Sequence, residues 1–206
     1  MDIQLERVRM SEFWKTAPAA MVTLNERELL HQLAEQVCEN YDQPVIVNIG
    51  VGWGGTMHCL RAGCERAVLV GVDIDYDYKQ IKRKDELNAI FINGDSTQLW
   101  KEFEVTVKDE EHQILYQSDR VNLLLIDGDH CYETVIQDIK GWTSLIPIGG
   151  VVVFHDYEYR EQDVKWDECL PGVQKAVNEF FEHNIEWTEL YRVDSMIAYK
   201  HEYRGD

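Results

Sequence analysis

One stretch limits what this chain can become more than any other: Val45-Ile46-Val47-Asn48-Ile49-Gly50-Val51-Gly52-Trp53-Gly54-Gly55-Thr56. A β-branched apolar run stops in a cluster of glycines, and a helix-compatible segment follows to about Glu65. That order reads as a strand, a tight turn and a helix N-terminus. Glycines let the backbone adopt positive φ and come close to a ligand. A helix N-terminus offers unpaired N–H groups and partial positive charge to an anionic group. The stretch therefore reads as a site for a nucleotide-type cofactor. Gly50, Gly52 and Gly55 satisfy G-x-G-x-x-G, a pattern that carries weight only after a strand and before a helix, as here.

The rest of the chain repeats the alternation. Thr23-Leu24-Asn25-Glu26 reads as a capping box opening a helix over about 24–39, with Leu30, Leu33, Ala34, Val37 and Cys38 on one face. Strands follow at 45–49, 67–73, 89–93, 121–126 and 151–154. Helices follow at 55–65, 76–87, 132–143 and 172–183. Helix signals near 96–104 are weak, and 105–119 reads as a polar connection or an inserted turn. Two last strands, 186–192 and 195–201, are joined by too short a link for a parallel crossover, so they pair antiparallel. The expectation is an α/β, Rossmann-like, doubly wound sheet of seven strands, mostly parallel with an antiparallel last strand. Residues 1–22 form a lead-in that either packs on the domain or covers the site as a lid; 23–206 form one domain.

In such a sheet ligands bind beyond the C-terminal strand ends, at the switch point. The unusual residues cluster at those ends: Gly50–Gly55, Asp73, Asp95, Asp127–His130 and His155–Asp156. Asp73, ending the next strand after the glycine turn, is positioned to accept ribose hydroxyls.

Composition narrows the function class. The 206 residues carry a net charge of −18, which argues against nucleic-acid substrates and anionic membranes, both of which call for a basic surface. No apolar run approaches the ~20 residues of a membrane span, and the acid-bearing N-terminus has no signal-peptide pattern. The five cysteines form no C-x-x-C pair. They read as reduced thiols in a cytoplasmic protein.

At this point the chain resembles the class I S-adenosylmethionine (SAM)-dependent methyltransferases, in particular the small O-methyltransferase-like branch (methyltransferase family 24 type). The carrying residues are Asn48–Gly55, Gly71-Val72-Asp73-Ile74-Asp75, Asn93-Gly94-Asp95-Ser96, Ile126-Asp127-Gly128-Asp129-His130 and Gly149-Gly150 through His155-Asp156-Tyr157. The resemblance implies that the loop of Asn48, Gly50, Gly52, Trp53, Gly54 and Gly55 holds the methionine part of SAM. Asp73 would bind the ribose, with Asp75 as alternative, Asp95 and Ser96 would face the adenine, and Asp127 would border the cofactor. The family often has an acid where this chain has Asn48.

The resemblance also implies that Asp127 and Asp156 can hold Mg²⁺ or another divalent cation, with Asp129 as general base. Metal-dependent members commonly add an acid or amide beside the last aspartate; here the neighbours are His155 and Tyr157, and His155 is the candidate third ligand. Without a metal, His130 is the candidate base, since a free imidazole titrates near neutrality. Tyr132 either orients the substrate or only begins its helix, and the acidic loop 158–171 either lines the entrance or is simply solvated. The implied activity is methyl transfer to a small-molecule acceptor at a hydroxyl oxygen, and the reading allows a homodimer. Two rivals remain at this level. An NAD-dependent oxidoreductase shares the glycine pattern but leaves the terminal strand pair unexplained. A non-catalytic SAM-fold binding module is left open by Asn48 and the incomplete metal set.

Overall fold

A computed structural model describes residues 20–74, 81, 83–108 and 110–202. Most of the lead-in, and Asp75 with half of the expected 76–87 helix, lie outside the described residues, and of the other half only Lys84–Leu87 is helical. The chain opens with helix α1 (Leu24–Asn40), strand β1 (Val45–Ile49), helix α2 (Gly55–Gly63) and strand β2 (Val68–Asp73). A short α3 (Lys84–Leu87), β3 (Ala89–Asn93) and a one-turn α4 (Ser96–Leu99) follow. Next come β4 (Val105–Lys108), β5 (Ile114–Ser118), β6 (Leu123–Ile126), α5 (Tyr132–Trp142) and β7 (Val151–Phe154). The chain ends with α6 (Pro171–Phe181), β8 (Trp187–Val193) and β9 (Met196–His201).

Seven strands form one sheet in the order β3-β2-β1-β6-β7-β9-β8. The first five are parallel, and β9 runs antiparallel to both β7 and β8. This is the Rossmann-like sheet expected from the alternation. The chain leaves β1 toward β2 and β3, then returns to β6 on β1's other side. The crevice at that reversal is where ligands gather.

Two core layers hold the sheet. Leu30, Leu33 and Val37 of α1 and Met57 and Leu60 of α2 pack on the face carrying Ile46, Leu69, Leu123 and Val153. Val135, Ile139 and Trp142 of α5 and Val173, Val177 and Phe181 of α6 pack on the face carrying Val47, Val70, Leu124 and Phe154. Each fully buried large side chain contributes about 1.5–3 kcal/mol, which explains why the strands read as continuous apolar runs.

The capping box forms as the sequence predicts. Thr23 Oγ1 accepts from Glu26 N–H at 3.2 Å and Glu26 Oε2 accepts from Thr23 N–H at 2.7 Å. Two expectations need correction. Residues 105–119 are neither a plain connection nor a turn. They hold the separate antiparallel hairpin β4–β5, in which Ile114 and Leu115 stay exposed, so no alternating apolar face announces it. The cysteines also differ from expectation. Cys38 pairs with Cys64 and Cys131 with Cys169, leaving only Cys59 as a free, buried thiol. The partners are 26 and 38 residues apart. Only helix packing and loop closure bring them together, which spacing in the sequence cannot reveal. The expectation of a reducing compartment rested on unpaired thiols and loses that support.

Candidate active site

A cleft of about 1260 Å³ opens over the C-terminal ends of the central strands. The glycine loop forms one wall. Gly50 sits at φ +83°, and a Cβ there would lie 1.9 Å from the Asp127 carbonyl oxygen, so only glycine lets β1 and β6 end side by side. Gly52, at φ +49°, has nothing within 4 Å of a built Cβ; open space lies above it, facing the cleft. Trp53 stands half-exposed at the mouth. Gly54 is the residue before α2, also at positive φ, with Gly55 beginning the helix.

Asp73 closes the loop from below. Its Oδ2 accepts from Val51 N–H at 2.9 Å and Gly52 N–H at 3.2 Å. The acid at the end of β2 therefore fixes the glycine loop as well as lining the cleft. Asn48 is fully buried beneath the turn, its amide donating to the Gly50 carbonyl at 2.8 Å while Oδ1 has no partner. It shapes the loop from behind and is not part of the cleft wall. Asp95 caps α4 through Thr97 N–H at 2.9 Å, and Ser96 Oγ donates to Asp138 Oδ2 at 3.0 Å. Asp138 was not visible as a site residue. Burial pushes its carboxyl up to about 7.

The opposite wall is built from charged side chains. Asp127 follows β6, and His155 and Asp156 follow β7. His155 Nδ1 lies 2.9 Å from Asp127 Oδ1 and 2.8 Å from Asp156 Oδ2. Asp156 takes the left-handed backbone, φ +56°, although it is not glycine. Strain of this kind persists only where surrounding structure enforces it. Burial alone would lower the pKa of His155; contacts with Asp127, Asp156 and Glu26 outweigh it and raise it to about 12. Burial likewise opposes ionisation of Asp156, but His130 and His155 hold its carboxyl well below the usual range.

His130 bridges two acids. Nε2 is 3.2 Å from Asp156 Oδ2, and Nδ1 meets the Asp167 carboxylate. Asp156 first, then Asp167, raise its pKa to about 9 against the pull of burial. As placed, His130 is a cation at neutral pH and donates protons. The sequence reading of a near-neutral imidazole base does not allow for these two partners, one of which comes from a loop 37 residues away. Asp129 accepts from Cys131 N–H at 3.2 Å and from the Thr134 hydroxyl, at the start of α5. Tyr132 begins α5 and turns its hydroxyl to Glu179 at 2.7 Å, away from the cleft lining. The acidic loop does line the entrance, through Asp163, Trp166 and Asp167. The Cys131–Cys169 bridge ties that loop to the Asp127–His130 segment. From the lead-in, Ala20 and Met21 reach the cleft.

Among the described residues, Asp127, His155 and Asp156 each offer a ligand atom to one point, all within 4.8 Å of one another. His155 Nδ1 is buried, and although it lies at ion-pair distance from both carboxylates, neither is aligned as its hydrogen-bond acceptor. A buried nitrogen converging with two carboxylates, without an aligned acceptor, fits a cation site.

A family model described as a methyltransferase domain matches residues 47–157, the span from the glycine loop through Asp156. The chain belongs to this methyltransferase family. The solved O-methyltransferase NovP is 16% identical with a TM-score of 0.63, covering 89% of this chain and 82% of NovP. An O-methyltransferase from Bacillus cereus in complex with S-adenosylhomocysteine (SAH) is 17% identical with a TM-score of 0.59, covering 97% and 91%. At these identities the likeness is one of fold. An uncharacterized protein of Acanthamoeba polyphaga mimivirus is 28% identical over 140 residues, which are 66% of this chain and 60% of that protein. The matched span thus contains the glycine loop together with Asp127, His130, His155 and Asp156, while Glu26 and Asp167 lie outside it.

Proposed function

We propose that this chain is a SAM-dependent methyltransferase that methylates a hydroxyl oxygen of a small molecule, assisted by a divalent cation. The observation that carries the reading is the joining of two walls in one cleft. A glycine loop with open space over Gly52 faces the Asp127–His155–Asp156 cluster. Structural neighbours crystallised with SAH support SAM over NAD as cofactor. A neighbouring methyltransferase, MycE, was solved with Mg, SAH and mycinamycin VI, which supports the cation.

In this reading the glycine loop cradles the methionine part of SAM, Asp73 accepts from the ribose hydroxyls, and Asp95 and Ser96 border the adenine. Asp127, Asp156 and His155 would hold the cation, which would displace the proton from His155 Nδ1. Such a cation lowers the pKa of an acceptor hydroxyl. Asp129, exposed in the same cleft, takes the hydroxyl proton, and His130 keeps Asp156 in place. Much of the rate comes from holding acceptor oxygen and methyl group in near-attack geometry. Residues 23–206 act as the catalytic domain, and Ala20 and Met21, just before it, line the cleft.

Titration calorimetry with SAM, SAH and NAD tests the cofactor. Binding of SAM and SAH with none of NAD is expected; tight NAD binding without SAM binding overturns the reading.

A further inference from the structure

The capping glutamate of α1 does more than cap a helix. Glu26 is 1% exposed, yet it carries a carboxylate into the space behind the charged wall. Its Oε1 accepts from Ser195 N–H at 2.8 Å and Ser195 Oγ at 2.6 Å, in the turn between β8 and β9. Its Oε2 accepts from Thr23 N–H and lies 3.7 Å from His155 Nε2. Three hydrogen bonds from two segments thus fix one carboxylate behind one imidazole.

The other side of the same ring faces the cleft. His155 is 7% exposed, and its Nδ1 has no aligned hydrogen-bond partner. The distances from Nδ1 to Asp127 and Asp156 are 2.9 and 2.8 Å. Neighbouring donors around an octahedral ion at bonds of about 2.1 Å stand about 3 Å apart. Nδ1 therefore stands from each carboxylate oxygen as adjacent ligands stand from one another, and all three donor atoms lie within 4.8 Å. A ligating imidazole generally has its second nitrogen held by a carboxylate, which fixes the ring and strengthens the donor. Glu26 stands at that place, at ion-pair distance from Nε2, with a short approach left to close on metal binding.

Resting on the reading of Asp127, His155 and Asp156 as the cation site, we propose that Glu26 is its positioning carboxylate and that the nitrogen donor tunes the site toward borderline cations. Mg²⁺ takes oxygen ligands and leaves reluctantly from water, whereas imidazole suits later first-row ions. A chain that places His155 between two carboxylates, with Glu26 behind it, favours an ion such as Co²⁺ or Fe²⁺ over Mg²⁺. Glu26 would act on the ion only through the ring, never by touching it.

The test is titration of the full chain with Co²⁺ and Mg²⁺, read by calorimetry and by the visible absorption of bound Co²⁺, with SAH affinity measured on every variant. Wild type is expected to bind one Co²⁺ per chain at least 100-fold more tightly than Mg²⁺. His155→Gln, which substitutes an amide for the imidazole, should cut that preference at least tenfold and change the Co²⁺ spectrum. Glu26→Gln keeps a capping side chain but removes the charge, and should weaken Co²⁺ binding about 10–100-fold. Ser195→Ala, which loosens Glu26 on its far side only, should change Co²⁺ affinity less than threefold. SAH affinity should stay within twofold throughout. If Glu26→Gln does not fold, His155→Gln decides the question of ion preference, and Glu26→Asp, which retains the charge, decides the positioning role by its Co²⁺ spectrum. No Co²⁺ binding by a wild-type chain that binds SAH overturns the cation site while leaving the methyltransferase reading standing. Unchanged ion preference in His155→Gln, or unchanged Co²⁺ affinity in Glu26→Gln, overturns the roles given to those residues. Failure to bind SAH overturns the underlying reading instead.

Discussion

At the glycine end of the cleft, the fixed groups are backbone: a turn with positive φ at Gly50 and Gly52, and N–H groups pinned on Asp73. At the other end the fixed groups are side chains. Glu26, Asp127, His130, His155, Asp156 and Asp167 come from four separate segments and hold one another by charge. The first wall is set by what the backbone can do, so its tolerance to change depends on φ and free space. The second is set by pairing, so its tolerance depends on which charge is left without a partner.

Substitutions separate the two kinds of wall. Gly50→Ala should have the largest effect. Its Cβ would fall 1.9 Å from the Asp127 carbonyl oxygen at φ +83°, so a loss of about 4 kcal/mol or more, or no folded protein, is expected in chemical denaturation. Full stability would mean β1 and β6 do not end as closely as described.

Asp138, which holds Ser96 behind the cofactor wall, gives the next effect, and it depends on pH. Its folded pKa is raised to about 7 from the ordinary aspartate value of 3.8, so the folded state binds a proton the unfolded state releases. This group's contribution to stability is therefore present below pH ~4 and is lost as pH rises through ~7. Asp138→Asn should match wild type near pH 4 and exceed it by about 2–4 kcal/mol at pH 8. A difference that does not vary with pH would sink this account of Asp138.

Reduction should then act at the charged end. Breaking Cys131–Cys169 opens a loop of 38 residues next to the His130–Asp167 pair, and Cys169→Ser should cost about 2–4 kcal/mol relative to the oxidised protein. Equal melting temperatures for Cys169→Ser and wild type, with and without reductant, would show that the bridge contributes nothing. The smallest effect belongs to Gly52→Ala. It meets no atom within 4 Å, only positive φ, so about 1–2 kcal/mol of backbone strain is expected. Its main consequence should be weaker SAH binding, because the methyl group enters the open space of the cleft.

The contrast between the walls also explains what could be read from the sequence. Backbone devices leave local traces: a β-branched run before glycines, an acid one strand later, a capping box four residues long. Those traces located β1, the turn, Asp73 and α1 almost to the residue. The charged wall left only half a trace. Asp127–His130 and His155–Asp156 were legible because they end apolar strands. Glu26 was legible as a cap and not as a neighbour of His155, since 129 positions separate them and only the packing of α1 against the sheet closes the gap. Asp167 sits in a loop whose acids all look alike, and its pairing with His130 depends on a disulfide that spacing did not disclose. The hairpin β4–β5 was missed for a different reason, its exposed Ile114 and Leu115 giving no two-faced pattern.

The division of the cleft into a cofactor wall and a cation wall is tested most directly by titrating SAH into Asp73→Ala and Asp156→Asn without added metal. Asp73→Ala removes the carboxylate that holds the glycine loop and, as proposed, the ribose. Its SAH affinity should fall by about 1.5–3 kcal/mol or more, the worth of a charge-assisted hydrogen bond. Asp156→Asn should bind SAH within about twofold of wild type. Undiminished binding by Asp73→Ala, or an equal loss in both variants, would contradict the division.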